Sequence, residues 1–382
     1  MKWVRGLLAL ALALAAAVLA GSCLAEEFDI VEDIPLRSVR IRAVGDLMMH
    51  DKQLRIAKQS DGSYDFHEQY ALVAESLADA DYTIANLETT VGKYKGQPYS
   101  GYPRFNAPEV YLDTVRDCGV DFLTLANTHM LDRYGDGMKK TVELVDQYGF
   151  DHGGANRSRK EQDKPIVVDV NGIRLGMLCY TEMTNGMEAY CDSFVKDYGI
   201  NYLRKADFAK DAARLRAAGA DVVIAMPHWG TEYNRRPDES VKALAKKMVA
   251  AGIDIILGSH PHVVQPIELI ETTDADGQPR VGLVAYSLGN FISNMTKTYT
   301  NSGIILDFTL CEKSSGDGYN IIDIGVVPLY CWNRDGMIQT VPSSKYDLQP
   351  PEGMGKNAAA RMRETCRDLR ALLDDRIPFL LQ

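Results

Sequence analysis

The stretch 239-ESVKALAKKMVAAGIDIILGSHPHVVQPIE-268 carries a helix, a strand and a loop in immediate succession. Apolar residues sit at helical spacing from Glu239 until Gly252 stops the run. The apolar segment 253-IDIIL-257 then reads as a strand, and His260 and His262 fall where it gives way to a loop. Pro261 is expected to hold the backbone extended there, which lets both imidazoles point at one spot. Helix and strand in this order are the repeating unit of an α/β fold.

The same unit recurs to either side. Strand-like runs 39-VRIRAVGD-46, 82-YTIANLE-88, 121-DFLTLANT-128 and 221-DVVIAMPHWG-230 alternate with helical runs over 69–80, 108–119, 137–149 and 205–219. Such alternation predicts largely parallel sheets with helices outside them. The segment 166-IVVDVNGIRLGMLCYT-181 predicts a hairpin turning at Asn171-Gly172. From Pro266 onward strands dominate, at 266–271, 280–290, 303–310 and 320–331, which suggests a second sheet packed on the first. An amphipathic charged helix over 352–375 is expected to close the domain from its surface.

The 382 residues are 46% hydrophobic and 25% charged, as in an ordinary globular chain. A formal net charge of −10 argues against unspecific nucleic-acid binding, which wants a basic face. An anionic substrate stays open, because a metal site reverses the local field. At the N-terminus, Lys2 and Arg5 precede an apolar run to about Ala20, the pattern of a signal peptide over 1–25. Cleavage before Glu26, a lipid-carrying Cys23 and a retained N-terminal anchor are the forms this pattern allows. All three place the protein in the cell envelope or outside it. Residues 26–37 read as an acidic tether. The seven cysteines form no CxxC pair, so a thiolate zinc site is not supported and buried thiols are expected.

The strand ends collect the chemistry. Asp46 closes the first strand, Asn86 and Glu88 the second, and Asn127 and His129 the third; His228 ends a later one, and His260 and His262 the next. Each alone has an ordinary explanation, such as a helix cap for Asp46 or Glu88 or a turn for Asn127. The set is harder to dismiss, since four of the seven histidines lie at such ends. In parallel α/β sheets the carboxyl ends line one crevice, so these groups should meet at one rim. Asp, Glu, Asn and His without thiolates form an oxygen and nitrogen set suited to one or two divalent ions such as Mn, Fe or Zn. Arg104, on the loop 102-YPRFNAP-108, would suit a carboxylate or phosphate. Glu232, Asn86 and His50 are further candidates for contact with a substrate.

In order, the motifs GD, NLE, ANTH, HWG, GSHPHVVQP and YSLGNF resemble the bacterial CapA family of poly-γ-glutamate capsule synthesis proteins. That family is similar in fold to calcineurin-like metallophosphoesterases. The resemblance implies a two-sheet αββα sandwich of the metallo-dependent phosphatase type over 38–330, with 331–382 as a C-terminal extension. It also implies that Asp46, Glu88, Asn127, His228, His260 and His262 are metal ligands, Glu88 bridging two ions, and that His129 is a proton donor or oxyanion stabiliser. Two positions depart from the pattern: Met48 stands where it has a histidine, with His50 two residues on, and Glu88 replaces an aspartate. The implied role is in making, exporting or cleaving poly-γ-glutamate or another anionic envelope polymer. Metal-assisted hydrolysis of a phosphoester or γ-glutamyl bond is the implied reaction. The rival is a non-catalytic, metal-stabilised component of a membrane synthase or export complex, and fold alone does not choose between them.

Overall fold

The computed structural model describes residues 36–380 apart from 317 and 335. The expected signal segment, its processing at Cys23 or Glu26, and the tether as far as residue 35 lie outside the described residues.

Two sheets carry the fold. In the first the spatial order is Met337–Pro342, Tyr319–Arg334, Ser302–Glu312, Ser38–Met48, Tyr82–Glu88, Phe122–Thr124 and Asp151–Gly153. The second runs Ile267–Thr273, Pro279–Ala285, Ile255–Leu257, Val222–His228, Ile173–Thr181 and Ile166–Val170. Strands linked through helices pair in parallel, as Ser38–Met48 does with Tyr82–Glu88 and Val222–His228 with Ile255–Leu257. Strands linked by short turns pair antiparallel, and the hairpin at Asn171 (φ 52°) and Gly172 (φ 82°) turns where the sequence placed it.

Side-chain alternation assigns the layers. Val39, Ile41 and Ala43 of the first sheet and Val222, Ile224 and Met226 of the second belong to one apolar core between the sheets. The outer faces take helices. Leu87 and Leu123 pack with Leu112, Met138 and Val142 of helices Tyr111–Asp117 and Tyr134–Gln147. Val223, Ala225 and Ile256 pack with Leu215, Ala245 and Met248 of helices Phe208–Ala217 and Glu239–Ala250. Each fully buried Leu, Ile or Val contributes roughly 1.5–3 kcal/mol. The layer order is helix, sheet, sheet, helix, as expected.

Several elements differ in detail. The run 69–80 forms two short helices, His67–Tyr70 and Ala74–Ala78, and their junction still buries Tyr70, Val73 and Leu77. Helix Asp51–Ala57 was not expected, because its seven residues are too few to show a helical period. The expected boundary at 330 falls inside strand Tyr319–Arg334, and Met337–Pro342 adds another strand beside it. Cys331, Ile338 and Val341 bury their side chains in the cores, so the first sheet extends to residue 342. Helix Lys356–Leu372 then covers it, burying Ala359, Met362, Thr365 and Leu369.

Candidate metal centre

Register in the first sheet sets half of the site. Asp46 lies opposite Asn86 on one side and Asn290 on the other, and Met48 lies opposite Glu88. The second sheet supplies the rest: His228 ends its strand opposite Thr181 and bridges to Ser259, from which the chain enters His260 and His262. Contacts cross between the sheets. His262 Nδ1 is 3.1 Å from Asp46 Oδ2 and 4.0 Å from Glu88 Oε2, and His228 Nε2 is 3.3 Å from Glu88 Oε1. His260 Nδ1 stands 3.2 Å from His228 Nε2. All five residues are buried. The groups meet as expected, but at a seam between two sheets and not along the rim of one.

The histidine loop is not extended, which corrects the sequence reading. His260 has φ 98° and His262 φ 57°, a left-handed region that side-chain-bearing residues rarely adopt. Pro261 fixes only its own φ, and the turns on either side of it bring the two rings to 6.1 Å between centroids. Such strain costs of order 1–3 kcal/mol per residue and concentrates at functional sites. Two motif glycines let backbones cross close by. A Cβ on Gly45 would lie 1.8 Å from Gly289 O, and one on Gly258 would lie 2.0 Å from Tyr286 O.

Close packing in the centre makes the buried groups shift one another's titration. Burial, then the charge of Asp46, pushes Glu88 up to about 8. Asp46 is itself lowered: burial opposes its ionised form, but the hydrogen bond and charge of His262 outweigh that. Burial likewise opposes charge on His262, yet Glu88 and Asp46 raise it to about 9. Burial takes His228 and His260 down to about 3, so both present neutral imidazoles, the form that binds metals. Glu88 Oε2 is buried with no hydrogen-bond partner, a costly condition for a carboxylate oxygen. Asp46, Glu88 and His228 each offer a ligand atom within 4.8 Å of the others. An oxygen-and-nitrogen donor set of this kind fits a divalent cation.

The remaining candidates take distinct places. Asn86 donates to Asp46 Oδ1 at 2.8 Å, and Asn127 donates to Asn86 Oδ1 at 3.1 Å while its own Oδ1 accepts the His129 N–H. His129 Nδ1 faces Asp132 Oδ2 at 2.8 Å, and its ring meets Phe105 edge-on at 4.4 Å. Burial opposes protonation of His129, but Asp132 outweighs it and the pKa rises. His50 stands apart from the ligands: its Nδ1 accepts the Asn294 N–H, its ring lies 5.1 Å from Phe105, and burial lowers it to about 4. Arg104 lies over the Tyr134 ring, and Glu232 is exposed beside Tyr233. Sequence reasoning missed Thr128, whose hydroxyl donates to Glu88 Oε1 at 3.0 Å, Ser259, 2.8 Å from His228 Nδ1, and Asp132. Only Asp132 carried a signal, an acid three residues after a candidate catalytic histidine.

A two-sheet α/β protein with a buried carboxylate and imidazole cluster at the seam of its sheets is, by class, a candidate metalloprotein. The chain belongs to the family described as bacterial capsule synthesis protein PGA_cap, whose profile matches residues 40–295. The capsule biosynthesis protein CapA of Bacillus anthracis is 30% identical over 292 residues, covering 75% of this chain and 66% of that protein. The PGA biosynthesis protein CapA of Bacillus subtilis (strain 168) is 28% identical over 283 residues, covering 72% and 68%. The match thus spans about two thirds of each relative's length. Among solved structures, the calcineurin-like phosphoesterase YfkN from Bacillus subtilis is similar with a TM-score of 0.42 and 15% identity, over 87% of this chain and 98% of that one.

Proposed function

We propose that this protein is an exported, metal-dependent hydrolase of envelope-polymer metabolism, acting on a phosphoester or γ-glutamyl bond of an anionic polymer such as poly-γ-glutamate. The observation that carries this reading is the buried Asp46–Glu88–His228 group, with one Glu88 oxygen lacking a hydrogen bond, set beside the His129–Asp132 pair. Asp46, Glu88, His228 and His262 would hold the ion, with Asn127 and His260 as the further donors. A divalent ion held there supplies Lewis-acid polarisation and a water made nucleophilic near neutral pH. The chain's own part is the proton. Asp132 orients the His129 ring through Nδ1, and Nε2 has no hydrogen-bond partner among the described residues. Nε2 is therefore the atom to protonate a leaving oxygen or nitrogen. Phe105, in edge contact with that ring, covers part of it from water. The polymer is suggested by the two Bacillus relatives, named for capsule and PGA biosynthesis. Export is suggested by Lys2, Arg5 and the apolar run behind them, and a membrane synthase or export complex would then be the source of the polymer.

One observation favours the non-catalytic reading. Buried Met48 occupies the position of a histidine in the resembled pattern, and His50 binds the Asn294 backbone and not the cluster. Incubation of metal-loaded protein with aryl phosphodiesters and γ-glutamyl oligomers separates the two. Release of alcohol or amine that requires the metal supports the hydrolase. No release from either class, at verified metal occupancy, leaves the scaffold as the better account.

A further inference from the structure

Two arginines stand next to the groups that hold His129. Arg133 follows Asp132 and occupies the N-cap position of the 14-residue helix Tyr134–Gln147. Arg104 precedes Phe105 in the loop that packs on His129. Ser100 ties the pair together: its hydroxyl donates to Arg104 O at 2.6 Å and accepts from Arg133 Nη2 at 2.5 Å. Beyond that, Arg133 donates to Asp132 O, and Arg104 reaches Met187 Sδ at 3.8 Å and lies 4.7 Å over the Tyr134 ring. Among the described residues neither guanidinium is paired with a carboxylate, and the Nε of each is buried without a hydrogen-bond partner.

That arrangement is unfavourable for the protein alone. An N-cap prefers Ser, Thr, Asp or Asn, and the first turn of a helix prefers negative charge. Here Arg133 is 4% exposed, and burial works against its protonated form; the charge of Asp132 offsets part of this and that of Arg104 adds to it. The nearby acids are engaged elsewhere. Asp136, in the first turn, pairs with Lys95 at 2.7 Å, and Asp132 Oδ2 takes the Phe105 N–H and His129 Nδ1. Two guanidiniums with unsatisfied N–H groups at the positive end of a helix are what an oxyanion stabilises best.

We propose that Arg104, Arg133 and the N-terminus of helix Tyr134–Gln147 form an oxyanion subsite, which holds a carboxylate or phosphate of the polymer beside the unit being cleaved. This rests on the hydrolytic reading of the metal centre. Arg104, Tyr134 and Gly135 are partly exposed, which gives the anion a way in. Through Phe105 and Asp132 the subsite is joined by single peptide bonds to both residues that position His129. An anion bound there sets the register of a repeating polymer against the proton donor.

Thermal unfolding of the full chain, with metal content measured, tests the subsite. The rise in unfolding temperature with inorganic phosphate, or with a γ-glutamyl oligomer, reads binding directly. Wild type should rise with at least one anion; phosphate alone points to a phosphoester substrate, and the oligomer to a chain of carboxylates. Arg133→Gln should lose most of that rise at unchanged metal content, and Arg133→Lys should recover only part, since lysine lacks the guanidinium fork. Arg104→Gln, at a loop position, gives the same reading should Arg133→Gln fail to fold. Equal rises in wild type and the glutamine variants, as phosphate held at the metal alone would give, overturn the proposal. So does a wild type that responds to neither anion. No turnover is needed, so failure here is distinct from failure of the hydrolase reading.

Discussion

His129 is the residue whose proposed role is chemical and not structural. It is buried, locked by Asp132 on one nitrogen and packed on Phe105, and among the described residues its side chain forms no hydrogen bond with the ligand cluster. His129→Gln should therefore fold and keep its metal, yet lose roughly a hundredfold to ten-thousandfold in turnover of any verified substrate. A wild-type rate in that variant would remove His129 from the mechanism. Asp46, Glu88, His228, His260 and His262 were legible in the sequence because each pairs a ligand-type side chain with the end of a strand-like run. Thr128 and Ser259 were not. Hydroxyl residues are common in loops, and theirs become site residues only through contacts that register sets, Thr128 to Glu88 and Ser259 to His228.

Elements were legible where their period was long. Helix Glu239–Ala250 and the hairpin at Asn171-Gly172 follow from pattern and turn chemistry. Helix Asp51–Ala57 and the break after Tyr70 did not, since four to seven residues do not establish a helical period. The left-handed turns at His260 and His262 had no local signal and depend on the strands that converge there. That convergence has a testable cost. Gly258 passes so close to Tyr286 O that Gly258→Ala must shift backbone, whereas Gly355 meets nothing within 4 Å. Denaturant titration should show Gly258→Ala destabilised by at least about 1–3 kcal/mol, the range for overpacking, with Gly355→Ala, which only replaces the N-cap glycine of helix Lys356–Leu372, destabilised by less. Equal stability of the two variants would mean that the backbones at Gly258 and Tyr286 leave room for a methyl group.

At the scale of the molecule, the site exists because two sheets are stacked with carboxyl ends together. The first brings the carboxylates, the second the imidazoles, and neither holds the set alone. The alternation of strands and helices made the two-sheet fold legible; the seam was not, because no single segment spans it. The N-terminal segment makes a separate prediction. Mass spectrometry of protein from the producing cell should find a chain starting near Glu26, or lipid on Cys23, or an intact anchor in the membrane fraction. Intact Met1 on soluble cytoplasmic protein would contradict export. The proposed chemistry requires the seam to be a metal centre, and metal content tests that directly. Wild type, His228→Ala, His260→Ala and His67→Ala should be purified side by side without chelator and analysed for transition metals. His67 is the control, a surface residue 2.6 Å from Asp65 and 3.2 Å from Asp117. Wild type and His67→Ala should carry about one or two ions per chain, and the other two variants clearly fewer. Equal content in all four proteins would contradict the account.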